Sequence, residues 1–214
     1  MSESRYVPAA GRAALTGVYD TVVALTMRER RWRPLLAQRL SAGTPPGGLV
    51  VDVGAGTGTL AVAIATARPD ARVIAVDGDP RALALARRKE GAELVEWREG
   101  LAGALDLAGG STDTALMSLL LHHLDRDAKL AALRDVRRVL RPGGALQVAD
   151  WGRPQDPLML AAAGALQIVD TAAGIRDHLA GRVPQLIRDA GFTRVERYAR
   201  LRTGWGGLEL LEAA

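Results

Sequence analysis

Leu49-Val50-Val51-Asp52-Val53-Gly54-Ala55-Gly56-Thr57-Gly58-Thr59-Leu60 passes from an apolar run through alternating glycines into a helical pattern. Leu49 to Val53 is short, apolar and β-branched, the signature of a buried parallel strand. From Thr59 the apolar residues Leu60, Ala61, Ile64 and Ala65 recur at helical spacing. A strand that turns on glycines into a helix lets a ligand lie against backbone amides, because glycine has no Cβ in the way. A second apolar run, Arg72 to Val76, leads to Asp77, whose carboxylate is placed to accept both hydroxyls of a ribose. Together these features imply an adenosine-containing ligand. Asp52 either satisfies loop amides or meets that ligand directly.

Spacing narrows the ligand. In a G-x-G-x-x-G dinucleotide loop the third glycine would fall at position 59, where this chain has Thr59. No lysine follows in the place a P-loop needs it, which disfavours nucleoside triphosphates. Four segments then occur in order. They are Val51-Asp52-Val53-Gly54-Ala55-Gly56-Thr57-Gly58, Val76-Asp77-Gly78-Asp79-Pro80, Leu121-His122-His123-Leu124 and Val139-Leu140-Arg141-Pro142-Gly143-Gly144. With them the chain resembles the class I S-adenosylmethionine-dependent methyltransferases of the ubiquinone-biosynthesis type, over nearly its whole length.

That resemblance implies S-adenosylmethionine as methyl donor and S-adenosylhomocysteine as product. Gly54, Gly56 and Gly58 are implied to pass under the methionine part, and Asp52, Ala55 and Leu119 are further candidates for the donor site. Asp77 is implied to bind the ribose, while Gly78, Leu101 and Ala102 border the adenine. Two positions depart from the family pattern. Leu101 stands where an Asp accepts from the adenine amino group, and Gly78 replaces a bulky apolar residue. Losing one such acceptor costs about 1.5–3 kcal/mol unless backbone or water takes over.

The rest of the pattern alternates strands with helices and predicts a doubly wound, Rossmann-like, mostly parallel α/β sheet of seven strands. Strands are expected at 49–53, 72–76, 93–97, 113–118 and 145–149, with a C-terminal antiparallel pair at 193–201 and 206–211. Helices are expected at 59–67, 80–90, 127–140, 157–173 and 178–190, the last closed by Gly191. Asp79 before Pro80 reads as a helix start. Residues 7–40 read as helices broken near Gly17 and Pro34. The chain reads as one domain, 1–214, whose segment 1–45 caps the 46–214 core. Leu15, Val18, Val22 and Leu25 give that segment one apolar face, as a lid over the acceptor pocket requires.

Ligands of such sheets bind beyond the carboxyl ends of the strands, at the switch in strand order. His122 and His123 fall there, and one of them is a candidate base for an acceptor with a labile proton; otherwise they shape the pocket. Tyr19 is the third catalytic candidate, and Asp20, Trp151 and Trp205 are further candidates for the acceptor side. No third ligand is spaced to complete a metal site with the histidines.

Composition fits an enzyme domain. No apolar run approaches the ~18 residues of a membrane span, and the N-terminus does not read as a signal peptide. Zero cysteines exclude disulfides and thiolate catalysis and fit a cytoplasmic protein. The net charge of +4 raises nucleic acid as a partner, yet the basic residues are dispersed and only 4% of residues are aromatic, so no stacking platform is evident. The partner expected is a small-molecule acceptor with an O, N or C nucleophile; monomer and homodimer both remain open. Two other functions compete, a nicotinamide-dependent oxidoreductase and a non-catalytic adenosine-ligand or RNA-associated binding module.

Overall fold

A computed structural model describes residues 28–156, 159, 172–203 and 206–214. Its centre is a seven-stranded sheet built from β1 (Leu49–Val53), β2 (Arg72–Asp77), β3 (Val95–Glu99), β4 (Thr112–Ser118), β5 (Leu140–Trp151), β6 (Val195–Arg202) and β7 (Gly207–Ala213). The strand order is β3-β2-β1-β4-β5-β7-β6. The first five are parallel, and β7 runs antiparallel to both of its neighbours. Order reverses between β1 and β4, so their carboxyl ends flank the crevice where such sheets bind ligands.

Period-two alternation decides which face each strand residue serves. Val51 and Val53 join a core with Ile74, Met117 and Val148, under α4 (Arg126–Val139) and α6 (Val183–Asp189). Val50 faces the other way, into a core with α1 (Glu29–Gly43) and α2 (Thr59–Ala67). Asp52 has the parity of Val50 and is therefore buried on the α1 side of the sheet. The remaining helices are α3 (Pro80–Ala86) and α5 (Ala172–Leu179). Asp79 caps α3 as expected, its carboxylate accepting the Arg81 amide at 2.9 Å.

Several boundaries differ from the sequence reading. The break expected at Pro34 is absent, and α1 runs through it. Pro34 and Arg30, the residue whose carbonyl loses its partner, are both exposed, so water can satisfy that carbonyl. Trp32, Leu36 and Leu40 keep the helix docked on the sheet, with 1%, 0% and 3% exposure. The described part of the N-terminal segment is thus core; the proposed lid face and the break at Gly17 lie outside the described residues. Helix α3 stops at Ala86 rather than residue 90, and Lys89 turns back so that its Nζ reaches the Thr57 hydroxyl at 3.2 Å and that of Thr59. Strand β3 starts two residues late because Ala92–Leu94 forms a 3-10 turn, pinned by the Trp97 indole N–H on the Ala92 carbonyl at 2.9 Å.

Strand β5 absorbs Arg141-Pro142-Gly143-Gly144 through a register shift against β4. Gly143 has φ +81 there, and a Cβ on Gly144 would lie 2.8 Å from the Asp113 carbonyl oxygen. The helix expected at 178–190 is two helices, since Gly181 takes φ +68 and the next one begins at Val183 with Pro184 in its first turn. Gly191 ends α6 as expected, with φ +103. All but three residues of the helix expected at 157–173 fall outside the described set; Met159, Ala172 and Ala173 are helical.

Candidate active site

The glycine loop leaves β1 with positive φ at Gly54, Gly56 and Gly58, each for a different reason. A methyl on Gly58 would collide with the Trp97 ring and Ala86, so this glycine lets α2 close against β3 and α3. At Gly54 it would lie 2.6 Å from a Leu120 methyl. Gly56 is different: a methyl there meets no atom within 4 Å. The loop is therefore tight at both ends and open in the middle, on the side facing the crevice.

Asp77 holds this loop from the next strand. Its Oδ2 accepts the Gly56 amide at 2.7 Å and its Oδ1 the Asp79 amide at 2.8 Å. Burial pushes its carboxyl up, opposed by those two amides and by nearby His123. The Asp77 carbonyl also accepts the Gly100 amide at 3.0 Å, which brings Leu101 beside β2. Leu101 is 40% exposed, an apolar rim rather than a buried contact. Gly78 and Ala102 are half-buried at the same edge.

Asp52 is 1% exposed, and its Oδ1 has no hydrogen-bond partner among the described residues. Burial and the neighbouring Asp77 carboxylate push it up to about 7, against the pull of Arg33. Arg33 comes from α1, where it pairs with Glu29 at 2.6 Å. On the other side of the crevice Leu119 follows β4 in the left-handed region, with φ 52. Holding a leucine there costs about 1–3 kcal/mol, and its amide is tied to the Ala149 carbonyl at 2.8 Å.

The histidine pair divides its work. Leu121–His123 forms a 3-10 turn that buries His122 and leaves His123 half-exposed. His122 Nδ1 lies 2.7 Å from Asp150 Oδ1, at the end of β5. Asp150 further accepts the Leu121 amide at 2.8 Å and the Trp151 amide at 2.7 Å. Burial alone would raise this carboxyl, but His122 and a third histidine, His178 of α5, outweigh it and hold Asp150 well below the usual carboxylate range. Helix α5 approaches closely enough that a methyl on Gly174 would overlap the His122 carbonyl oxygen. Trp151 is packed, 8% exposed and edge-on to His122.

Residues 50–144 match the family model described as a methyltransferase domain. The chain is 32% identical to the malonyl-[acyl-carrier protein] O-methyltransferase of Methylococcus capsulatus, over 95% of this chain and 72% of that one. The chain belongs to the class I S-adenosylmethionine-dependent methyltransferases.

This methyltransferase is also 28% identical to a ubiquinone/menaquinone biosynthesis C-methyltransferase of Desulfotalea psychrophila, covering 91% of this chain and 85% of that one. The crystal structure of the S-adenosylmethionine-dependent methyltransferase SibL superposes with a TM-score of 0.68 at 25% identity, over 96% of this chain and 60% of that one. Two further curated relatives are spanned over only 49% and 54% of their length.

The residues present fit the donor. A buried carboxylate at Asp52, whose Oδ1 has no hydrogen-bond partner among the described residues, suits a cationic ligand, and the open face at Gly56 admits one against the backbone. The methyltransferase brings Asp52, Gly54, Ala55, Gly56, Asp77, Gly78, Leu101, Ala102, Leu119, His122 and His123 to one end of the sheet. Gly58 is there too, with packing against Trp97 as the reason it lacks a side chain. Tyr19, Asp20 and Trp205 lie outside the described residues. The sequence reading missed Arg33, His178 and the role of Asp150. Among the described residues no group of three His, Cys, Asp or Glu side chains is arranged to hold a metal, and no helix is long and apolar enough to cross a membrane.

Proposed function

We propose that this methyltransferase moves the methyl group of S-adenosylmethionine to an O, N or C nucleophile of a small molecule. The observation that carries the reading is the open, positive-φ Gly56, whose amide is held by Asp77, with the buried Asp52 close to Asp77. When bound, the donor supplies a methyl carbon on a positively charged sulfur, already activated for transfer. The chain then needs only to orient the two reactants and exclude water. Asp77 has spare lone pairs on both oxygens for the ribose hydroxyls. Asp52 meets the positively charged amino end, and Leu101 covers the adenine edge. His122, held by Asp150 through Nδ1, takes the acceptor's proton on Nε2 where the acceptor has one to lose. Relatives of this chain are named as a ubiquinone/menaquinone biosynthesis C-methyltransferase and a malonyl-[acyl-carrier protein] O-methyltransferase, and neither name points to nucleic acid as the acceptor.

A metabolite extract incubated with the enzyme and S-adenosylmethionine tests the reading. One species should gain ~14 Da, the mass of a methyl replacing a hydrogen. An extract left unchanged while the donor binds would instead favour the non-catalytic binding module. The Thr59 position and the three methyltransferase matches argue against a nicotinamide enzyme.

Asp77→Ala should weaken both donor and product by roughly 10- to 100-fold, as for a lost charge-assisted pair. It also removes the hydrogen bonds that the Gly56 and Asp79 amides donate to this carboxylate, so stability should fall by about 1–3 kcal/mol. Unchanged calorimetric binding in this variant would refute the ribose assignment. Leu101→Asp should tighten donor binding, since position 101 lies at the exposed rim where a carboxylate costs little. Weaker binding would mean that the adenine amino group already has an acceptor.

A further inference from the structure

Beneath the histidine turn runs a buried polar chain that donor binding does not use. His178 is fully buried, with Nδ1 3.3 Å from the Gly174 carbonyl oxygen and Nε2 3.6 Å from Asp150 Oδ1. The second distance is an ion-pair separation, too long for a hydrogen bond. A carbonyl and a carboxylate are both acceptors only, so a ring with one bare nitrogen would turn a lone pair toward one of them. Asp150 does not relieve this by taking a proton. It accepts from the Leu121 and Trp151 amides and from His122, so its oxygens are committed as a carboxylate.

A buried carboxylate 2.7 Å from a single imidazole favours the charged ring. His122 would then stay protonated at neutral pH and accept nothing. The second histidine changes that balance. We propose that His178 is a positioning residue, held with both ring nitrogens protonated, which shares the Asp150 carboxylate and thereby keeps His122 neutral and ready to accept a proton. The inference rests on the reading of His122 as the acceptor's base. The other charged groups around the trio, among the described residues, sit on every packed element. Lys129 of α4 donates to the Gly174 carbonyl and pairs with Asp177 at 3.5 Å. Asp177 pairs in turn with Arg126 at 3.1 Å, Asp125 caps α4, and His123 adjoins His122 with ring centroids 4.0 Å apart. Lys129 adds positive charge on the His178 side, and its Asp177 partner offsets it.

The chain has three histidines, so imidazole nitrogen–proton correlation spectra of the full 15N-labelled protein can be assigned by single replacement. A titration from about pH 5 to pH 9 spans the range where imidazoles exchange protons. The wild type should show His178 protonated on both nitrogens near neutrality, and His122 carrying its proton on Nδ1. In His178→Asn the His122 midpoint should rise by about one unit, because Asp150 then serves it alone. In Asp150→Asn it should fall. A merely structural His178 would leave the His122 midpoint in place, and that result overturns the proposal. So does a wild-type His178 with one bare nitrogen near neutral pH, which decides the matter even if the variants fail to fold. These spectra need no acceptor. Success here with no methylated product in any extract would remove the base role and leave the proton sharing.

Discussion

Gly56→Val should lose donor binding by at least a hundredfold, about 2.7 kcal/mol or more. The side chain would project into the space beside the loop where a methyl meets no atom within 4 Å. The backbone there has φ +56, which costs a β-branched residue about 1–2 kcal/mol and more than it costs asparagine. Gly56→Asn separates the two effects. It should keep nearly the wild-type melting temperature while still losing donor affinity in calorimetry. Wild-type affinity in the asparagine variant would show that the donor does not cross Gly56.

Asp52 should make both stability and donor binding depend on pH. Its folded-state pKa of about 7 lies above the ordinary value of 3.8, so the folded chain holds the proton more tightly than the unfolded one. This contribution is therefore fully present below pH 4 and is lost as pH rises toward 7, by about 4 kcal/mol across the window. A ligand with a positive amino end prefers the ionised carboxylate. Donor affinity should accordingly climb by up to tenfold per pH unit below 7 and then level off. Asp52→Asn should flatten both profiles. Denaturant melts of the ligand-free protein and calorimetry in buffers of different ionisation enthalpy report the two effects separately. A wild-type affinity independent of pH between about 5 and 7 would detach Asp52 from the donor.

What could be read from the sequence was what neighbours in the chain decide. The strand, the Gly54–Gly58 turn and α2 are contiguous, and Asp79 caps the helix that begins one residue later. The strand alternation with helices led to the sheet class, and the four motifs led to its ligand edge. Residues assembled by packing were opaque. His178 reaches Asp150 only because Gly174 lets α5 press onto the His122 carbonyl, a contact between segments more than fifty residues apart. Arg33 approaches Asp52 because α1 carries it across the sheet face, and the sequence shows only an arginine among arginines. Boundaries failed where backbone geometry outranked composition. Gly143-Gly144 reads as a loop yet lies within β5, and Gly181 splits what looks like one helix.

The grip of Asp77 on two amides bears on how this enzyme would be inhibited. The carboxylate bridges the first and second strand–helix turns through the chain's own backbone amides, at 2.7 and 2.8 Å. The loop order that binding needs is therefore largely met during folding, and a ligand is spared much of that entropic cost. A small compound that presents only a ribose diol beneath a flat ring has most of its pocket made in advance. High affinity per heavy atom is then within reach of fragments that carry no sulfur and no amino-acid arm. Chemistry grown outward from such a fragment, past Leu119 toward the His122 turn, would reach the acceptor side.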